Sequence, residues 1–109
     1  RDFTYIDDAI EGMISCIKLK NNLSDKWGFN NQIFNLGNGK KTSIKKLAQL
    51  LFKKLKKPIK IKFIKKDITD MELTLANLKK SEKILKYKPH RSLDYGLEKF
   101  INWYKAFYR

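Results

Sequence analysis

Cysteine occurs once in 109 residues, histidine once, proline twice and arginine three times. One cysteine closes no internal disulfide and supplies no metal cluster, so the chain gives no support to a secreted, disulfide-framed domain. Two prolines and five glycines leave no linker or low-complexity stretch, and no repeat divides the sequence. No apolar run exceeds three residues, against the ~20 needed to span a bilayer. A charged start followed by an apolar leader is also missing. What is present is enough for one small domain: 42% hydrophobic and 13% aromatic residues can build a modest core and argue against disorder. The chain opens on Arg1 rather than methionine, directly with residues of structured character. The expectation is a piece of a longer protein.

The charge is lopsided. Lys and Arg number 25 against 11 Asp and Glu, a formal net charge of +14, and no acidic residue lies between Lys26 and Lys66. Such a field attracts nucleic acid, anionic lipid or phosphorylated ligands. Yet Lys, Ile and Asn supply 42 of the 109 residues, and all three have A/T-rich codons, so compositional drift accounts for the balance without selection for binding. Arginine, which nucleic-acid readers favour for its bidentate fork, is scarce. A solvated basic surface is the simpler reading.

Periodicity predicts a mixed α/β order. Arg1 to Ile6 alternates like a short strand, and Asp7 or Asp8 then caps a helix carrying Ala9, Ile10, Met13, Ile14 and Ile17. Asn21 to Asn31 reads as a loop, and Gln32 to Leu36 as a strand stopped by Gly37-Asn38-Gly39. Thr42 or Ser43 caps a helix striped by Ile44, Leu47, Ala48, Leu51 and Leu55. After Pro58, Ile59, Ile61 and Phe63 alternate with lysines as a half-buried strand, and Asp67 to Leu75 is a loop. Asn77 caps a short helix to Lys86, broken by Lys88-Pro89-His90. Ser92 caps a last helix with Leu93, Leu97, Phe100, Ile101, Tyr104 and Phe107 on its apolar side.

Several apparent sites dissolve on inspection. Gly37-Asn38-Gly39-Lys40-Lys41-Thr42-Ser43 is no Walker loop, because Lys41 separates Lys40 from the hydroxyl and Phe34 stands where the first Gly belongs. It is a strand-to-helix turn, with an anion site at the helix start left open. Tyr95 and Lys99 have the Tyr-x-x-x-Lys spacing of short-chain dehydrogenases, but their helix packs a core through Leu97 and Phe100, and lysine is too abundant for the match to count. His90 has no Cys, Asp or His near it in sequence and reads as a surface residue. Cys16, beside Met13 and Ile17, reads as core packing. Asp7 and Asp8 are adjacent, diverge in direction, and are explained by helix capping.

Three ordered segments carry a resemblance. Arg1-Asp2-Phe3-Thr4-Tyr5-Ile6-Asp7-Asp8 is similar to R-D-F/Y-x-Y-V-D-D. Phe34-Asn35-Leu36-Gly37-Asn38-Gly39 is similar to Y-N-L-G-N-G. Asp70 to Ala76, Leu85-Lys86-Tyr87-Lys88-Pro89, Ser92-Leu93, Gly96-Leu97 and Trp103-Tyr104 follow the pattern G-D-V…T-x-A-D…L-G-Y-x-P…S-L-x-x-G-L…W-Y. Together they resemble the C-terminal part of an extended short-chain dehydrogenase/reductase of the NAD-dependent nucleotide-sugar epimerase/dehydratase family. Within it the pattern is most like the UDP-glucuronate 4-epimerases that make precursors of capsular or surface polysaccharide. Thr69 departs from the usual Gly before Asp70, Leu75 from a common aromatic, Asn77 from the common Asp, and Asp67 stands where Gln or Arg often sits.

The resemblance implies an α/β substrate-binding lobe over residues 1–109, with short strands, about four helices and no Rossmann core. By the same resemblance Arg1 contacts the diphosphate, Asn35 lies near the same phosphates and Asp70 is associated with the ribose. NAD serves the full-length family, but the glycine-rich turn and catalytic residues are outside this sequence, so the chain is expected neither to bind NAD nor to turn over alone. The expected partners are a UDP-sugar and an upstream Rossmann half or a homodimer partner, in the cytoplasm, with neither membrane nor nucleic acid. Two alternatives stay open: a stand-alone basic module for nucleic acid or anionic surfaces, and an inactive remnant of a split gene. A region built to pack on a larger fold would leave apolar surface exposed, as on the Ser92–Tyr108 helix.

Overall fold

The computed structural model describes residues 1–19, 32–58, 60–65 and 67–108. Helix α1 spans Ile6–Ile17, α2 Ile44–Leu55, α3 Lys79–Leu85 and α4 Leu93–Phe107. They pack as two pairs, α1 with α3 and α2 with α4. The helix count agrees with the expectation; the strands do not. Among the described residues the only β pairing is an isolated antiparallel bridge between Asp2 and Lys41. Arg1–Tyr5 and Gln32–Leu36 run as chain without a ladder, as do residues 60–63 of the expected Ile59–Phe63 strand. Alternation specifies which face a side chain takes but provides no partner, and a strand exists only when paired. The expected loop at Asn21–Asn31 and residue 59 lie outside the described residues.

Two hydroxyl caps form as read. Ser43 Oγ accepts from Lys46 N at 3.1 Å, and Ser92 Oγ accepts from Tyr95 N at 3.1 Å. The other two helices start differently. Tyr5, without a side-chain bond, caps α1, so Asp7 and Asp8 sit inside its first turn, where carboxylates suit the helix dipole. Leu78 caps α3, and Asn77 instead accepts from Lys79 N at 3.2 Å. Lys56 and Lys86 close α2 and α3 in the left-handed conformation.

The core sits between α1, α3 and the 34–37 segment. Leu78, Leu85 and Tyr87 are buried there, with Cys16, Leu19, Phe34, Leu36 and Ala76 packed around them. Cys16 therefore packs as expected, with its thiol free. Gly12 admits this packing: a Cβ there would lie 2.6 Å from Leu36 Cδ2 and 3.1 Å from Tyr87 Cδ2. The buried side of α1 is thus Asp8 and Gly12, not the apolar stripe. Ile10, Met13, Ile14 and Ile17 point outward, Ile17 at 84% exposure. On α4 only Leu97 and Ile101 are buried. Phe100, Trp103, Tyr104 and Phe107 form an exposed ladder of ring contacts, with Trp103 centred 5.7 Å from each of the two phenylalanines. No helix among the described residues is long and apolar enough to cross a membrane.

Candidate functional site

Arg1 and Asp70 are 69 positions apart in sequence, and the structure brings them together. The Arg1 guanidinium pairs with the Asp70 carboxylate and also donates to the Met71 carbonyl. The Arg1 backbone is fixed by a reciprocal pair with Thr42, N to O at 2.8 Å and Thr42 N to Arg1 O at 2.9 Å. Asp70 is presented by a turn that Asp67 organises. Asp67 Oδ1 accepts from the Thr69 hydroxyl at 2.6 Å and the Thr69 N–H at 2.8 Å, while Asp70 N donates to Asp67 O at 3.1 Å. The Thr69 hydroxyl, then its N–H, hold the Asp67 carboxyl below its usual range. The charge at this unusual position is thus engaged within its own turn. Arg1, Ser43, Ile44, Asp70, Met71 and Glu72 line an open hollow of about 350 Å³.

Asn35 is not among the residues lining that hollow. Its Nδ2 donates to Asn77 O at 3.3 Å, and its carbonyl accepts from buried Ser81 at 2.5 Å. Two backbone donors of the 37–39 turn are also taken. Asn38 N and Gly39 N both donate to Asp2, at 2.9 and 3.0 Å. A carboxylate of the chain itself thus occupies the turn, while at the helix start behind it Ser43 Oγ accepts from Lys46 N.

Sequence reasoning missed Arg91. Its guanidinium donates to Asp8 Oδ1 at 2.7 Å and Glu11 Oε1 at 2.9 Å, and Nε lies 3.5 Å from Asp7. The Arg91 N–H also donates to Asp8, at 3.1 Å, and Asn38 Nδ2 donates to the Arg91 carbonyl. Glu11 and Asp8 together raise the Arg91 pKa above its already high ordinary value. Asp8 is fully buried, so its role is an ion pair joining α1 to the start of α4 rather than a cap. His90 is exposed, as read, and stands 3.5 Å from Asp8 and 3.9 Å from Glu11. Asp8, Glu11 and His90 offer three ligand atoms within 4.8 Å of one another. A cation there would compete with the Arg91 guanidinium for both carboxylates. The i, i+3 spacing of Asp8 and Glu11 was visible in the sequence; their convergence on Arg91, some 80 residues away, was not.

No protein-family model matches the chain. An uncharacterized protein of Methanocaldococcus jannaschii is 40% identical over 95% of the chain and 29% of its own length. UDP-glucuronate 4-epimerase 5 of Arabidopsis thaliana is 36% identical over 99% of the chain and 26% of its own length. The crystal structure of UDP-glucuronic acid 4-epimerase from Bacillus cereus, in complex with UDP-glucuronic acid and NAD, superposes with a TM-score of 0.84. That match is 31% identical and covers 98% of this chain and 32% of that one. The chain matches the C-terminal region of the UDP-glucuronate 4-epimerases. It spans about a quarter to a third of the length of these relatives. A pyrophosphate needs backbone N–H donors at a glycine-rich turn. The Gly37–Gly39 turn spends two of its N–H groups on Asp2 and so does not offer them to a pyrophosphate.

Proposed function

We propose that this chain is the UDP-sugar-binding region of an NAD-dependent UDP-glucuronate 4-epimerase that supplies precursors of surface polysaccharide. Its share of the work is binding. Arg1 is the donor to the diphosphate, Asp70 the acceptor for the ribose hydroxyls, and Asn35 a neighbour of the same phosphates that must swing from Asn77 to reach them. The observation that carries this reading is the meeting of Arg1 and Asp70 at one hollow. A guanidinium suits a diphosphate because its fork donates two parallel, charge-assisted hydrogen bonds. In the chain itself the fork is divided between the Asp70 carboxylate and the Met71 carbonyl, and a bound nucleotide takes their place at Arg1 with its phosphates.

Hydride transfer falls to residues outside this chain. An NAD-binding lobe is the partner required for turnover, seated on the outward stripe of α1 and the apolar groove between Tyr5, Leu47, Leu97, Phe100 and Trp103. Calorimetric titration of the chain with UDP tests the binding role. Arg1→Ala and Asp70→Asn are each expected to weaken binding about tenfold or more, the value of a hydrogen bond to a charged group. No affinity for UDP, with affinity for a DNA duplex that falls steeply as salt rises, would replace this reading with the basic module.

A further inference from the structure

We propose that Asp2 is a positioning residue for this site, tying the segment that carries Arg1 to the segment that carries Asp70; the inference rests on the UDP-binding reading. The Asp2 carboxylate accepts three backbone N–H groups: Asn38 on Oδ1 at 2.9 Å, and Gly39 and Ala76 on Oδ2, each at 3.0 Å. Its own N–H donates to Thr74 Oγ1 at 3.4 Å. On the other side of Arg1 stands the reciprocal backbone pair with Thr42. Arg1 is thereby held between two anchors, and the anchor at Ala76 lies six residues beyond Asp70.

The arrangement demands an anion and a small neighbour. A carboxylate has about four acceptor sites and no donor, so it serves three N–H groups at once. An amide of the same size turns an NH2 toward at least one of those donors. Space is equally constrained: a Cβ on Gly37 would lie 2.6 Å from the Ala76 Cβ and 2.9 Å from Asp2 Oδ2. Asp2 touches none of the residues proposed to contact the nucleotide with its carboxylate. It acts on the ligand through the placement of Arg1.

The test combines amide NMR with UDP titration of the whole chain. Asp2→Asn is expected to move the amide signals of Asn38, Gly39 and Ala76, and with them those of Asp70 and Met71. UDP affinity should fall about tenfold, whereas in an Arg1→Lys background the same substitution should cost less than about twofold, because the two positions are coupled. Asp2→Glu, which keeps an anionic acceptor, should recover part of the loss. Should Asp2→Asn lose its helical signal, Asp2→Glu is read by the same criteria. Unmoved Asp70 and Met71 signals, or an undiminished loss in the Arg1→Lys background, overturn the positioning role. A wild-type chain without UDP affinity overturns the functional reading instead, and the Asp70 and Met71 signals alone then decide the case for Asp2.

Discussion

The polar interior of this chain is closed while its apolar faces are open. Asp2 serves three backbone donors, Asp8 serves Arg91 twice, Tyr87 donates to Gly37 O at 2.8 Å, and no described buried side-chain nitrogen or oxygen lacks a partner. By contrast, Ile10, Met13, Ile14 and Ile17 of α1 and Phe100, Trp103 and Phe107 of α4 are exposed. Apolar burial is normally the main stabilising term. Here the directional hydrogen bonds and ion pairs place the segments, and much of the apolar surface is left for something else to cover.

The contrast can be broken most severely at Asp8. Asp8→Ala leaves the Arg91 side chain and N–H without their buried acceptor, and should destabilise the chain by about 3 kcal/mol in urea unfolding, as one-sided loss of a buried pair does. Gly37→Ala comes next. Its methyl group meets the Ala76 Cβ, which is fixed to the backbone and cannot rotate away, so about 2 kcal/mol of overpacking is expected in the same assay.

Tyr87→Phe should cost about 1 kcal/mol, the value of one hydrogen bond. Burial, and then the charges of Asp8 and Asp2, raise the Tyr87 pKa above its ordinary 10. A raised folded-state value means that stability is fully present below pH 10 and is lost as pH rises beyond it. Unfolding midpoints measured from pH 8 to 11 should therefore fall at the alkaline end, and Tyr87→Phe should remove Tyr87's share of that fall. The smallest effect is expected on the open side: Met13→Lys should change stability by less than about 0.5 kcal/mol. A large loss there would show that the α1 stripe is buried in the isolated chain.

Helices with hydroxyl caps were legible from sequence because their signals are local. Ser43 and Ser92 sit three residues from the amides they accept. The α4 stripe likewise placed Leu97 and Ile101 inside. The outward side of α1 was not legible, because a helical stripe states which residues share a face but not whether that face meets this chain or another surface. On the opposite face Asp8 read as a cap and Gly12 carried no signal; Arg91, Leu36 and Tyr87, which lie against them, are distant in sequence. The site divided in the same way. The family resemblance named Arg1, Asn35 and Asp70, yet only two of the three share a hollow, since the hydrogen bonds of Asn35 run to Asn77 and Ser81. Asp2 escaped notice because its partners, at 38, 39 and 76, are scattered along the sequence.

The proposed nucleotide pocket is probed most directly by following backbone amide signals as UDP is added. Perturbations confined to Arg1–Asp2, Ser43–Ile44 and Asp70–Glu72, with Asn35 and Asn77, saturating together with one affinity, are the expected result. Saturable shifts centred on the lysines of α2 with those residues untouched, or no shift anywhere, would contradict the claim that Arg1 and Asp70 hold a nucleotide between them.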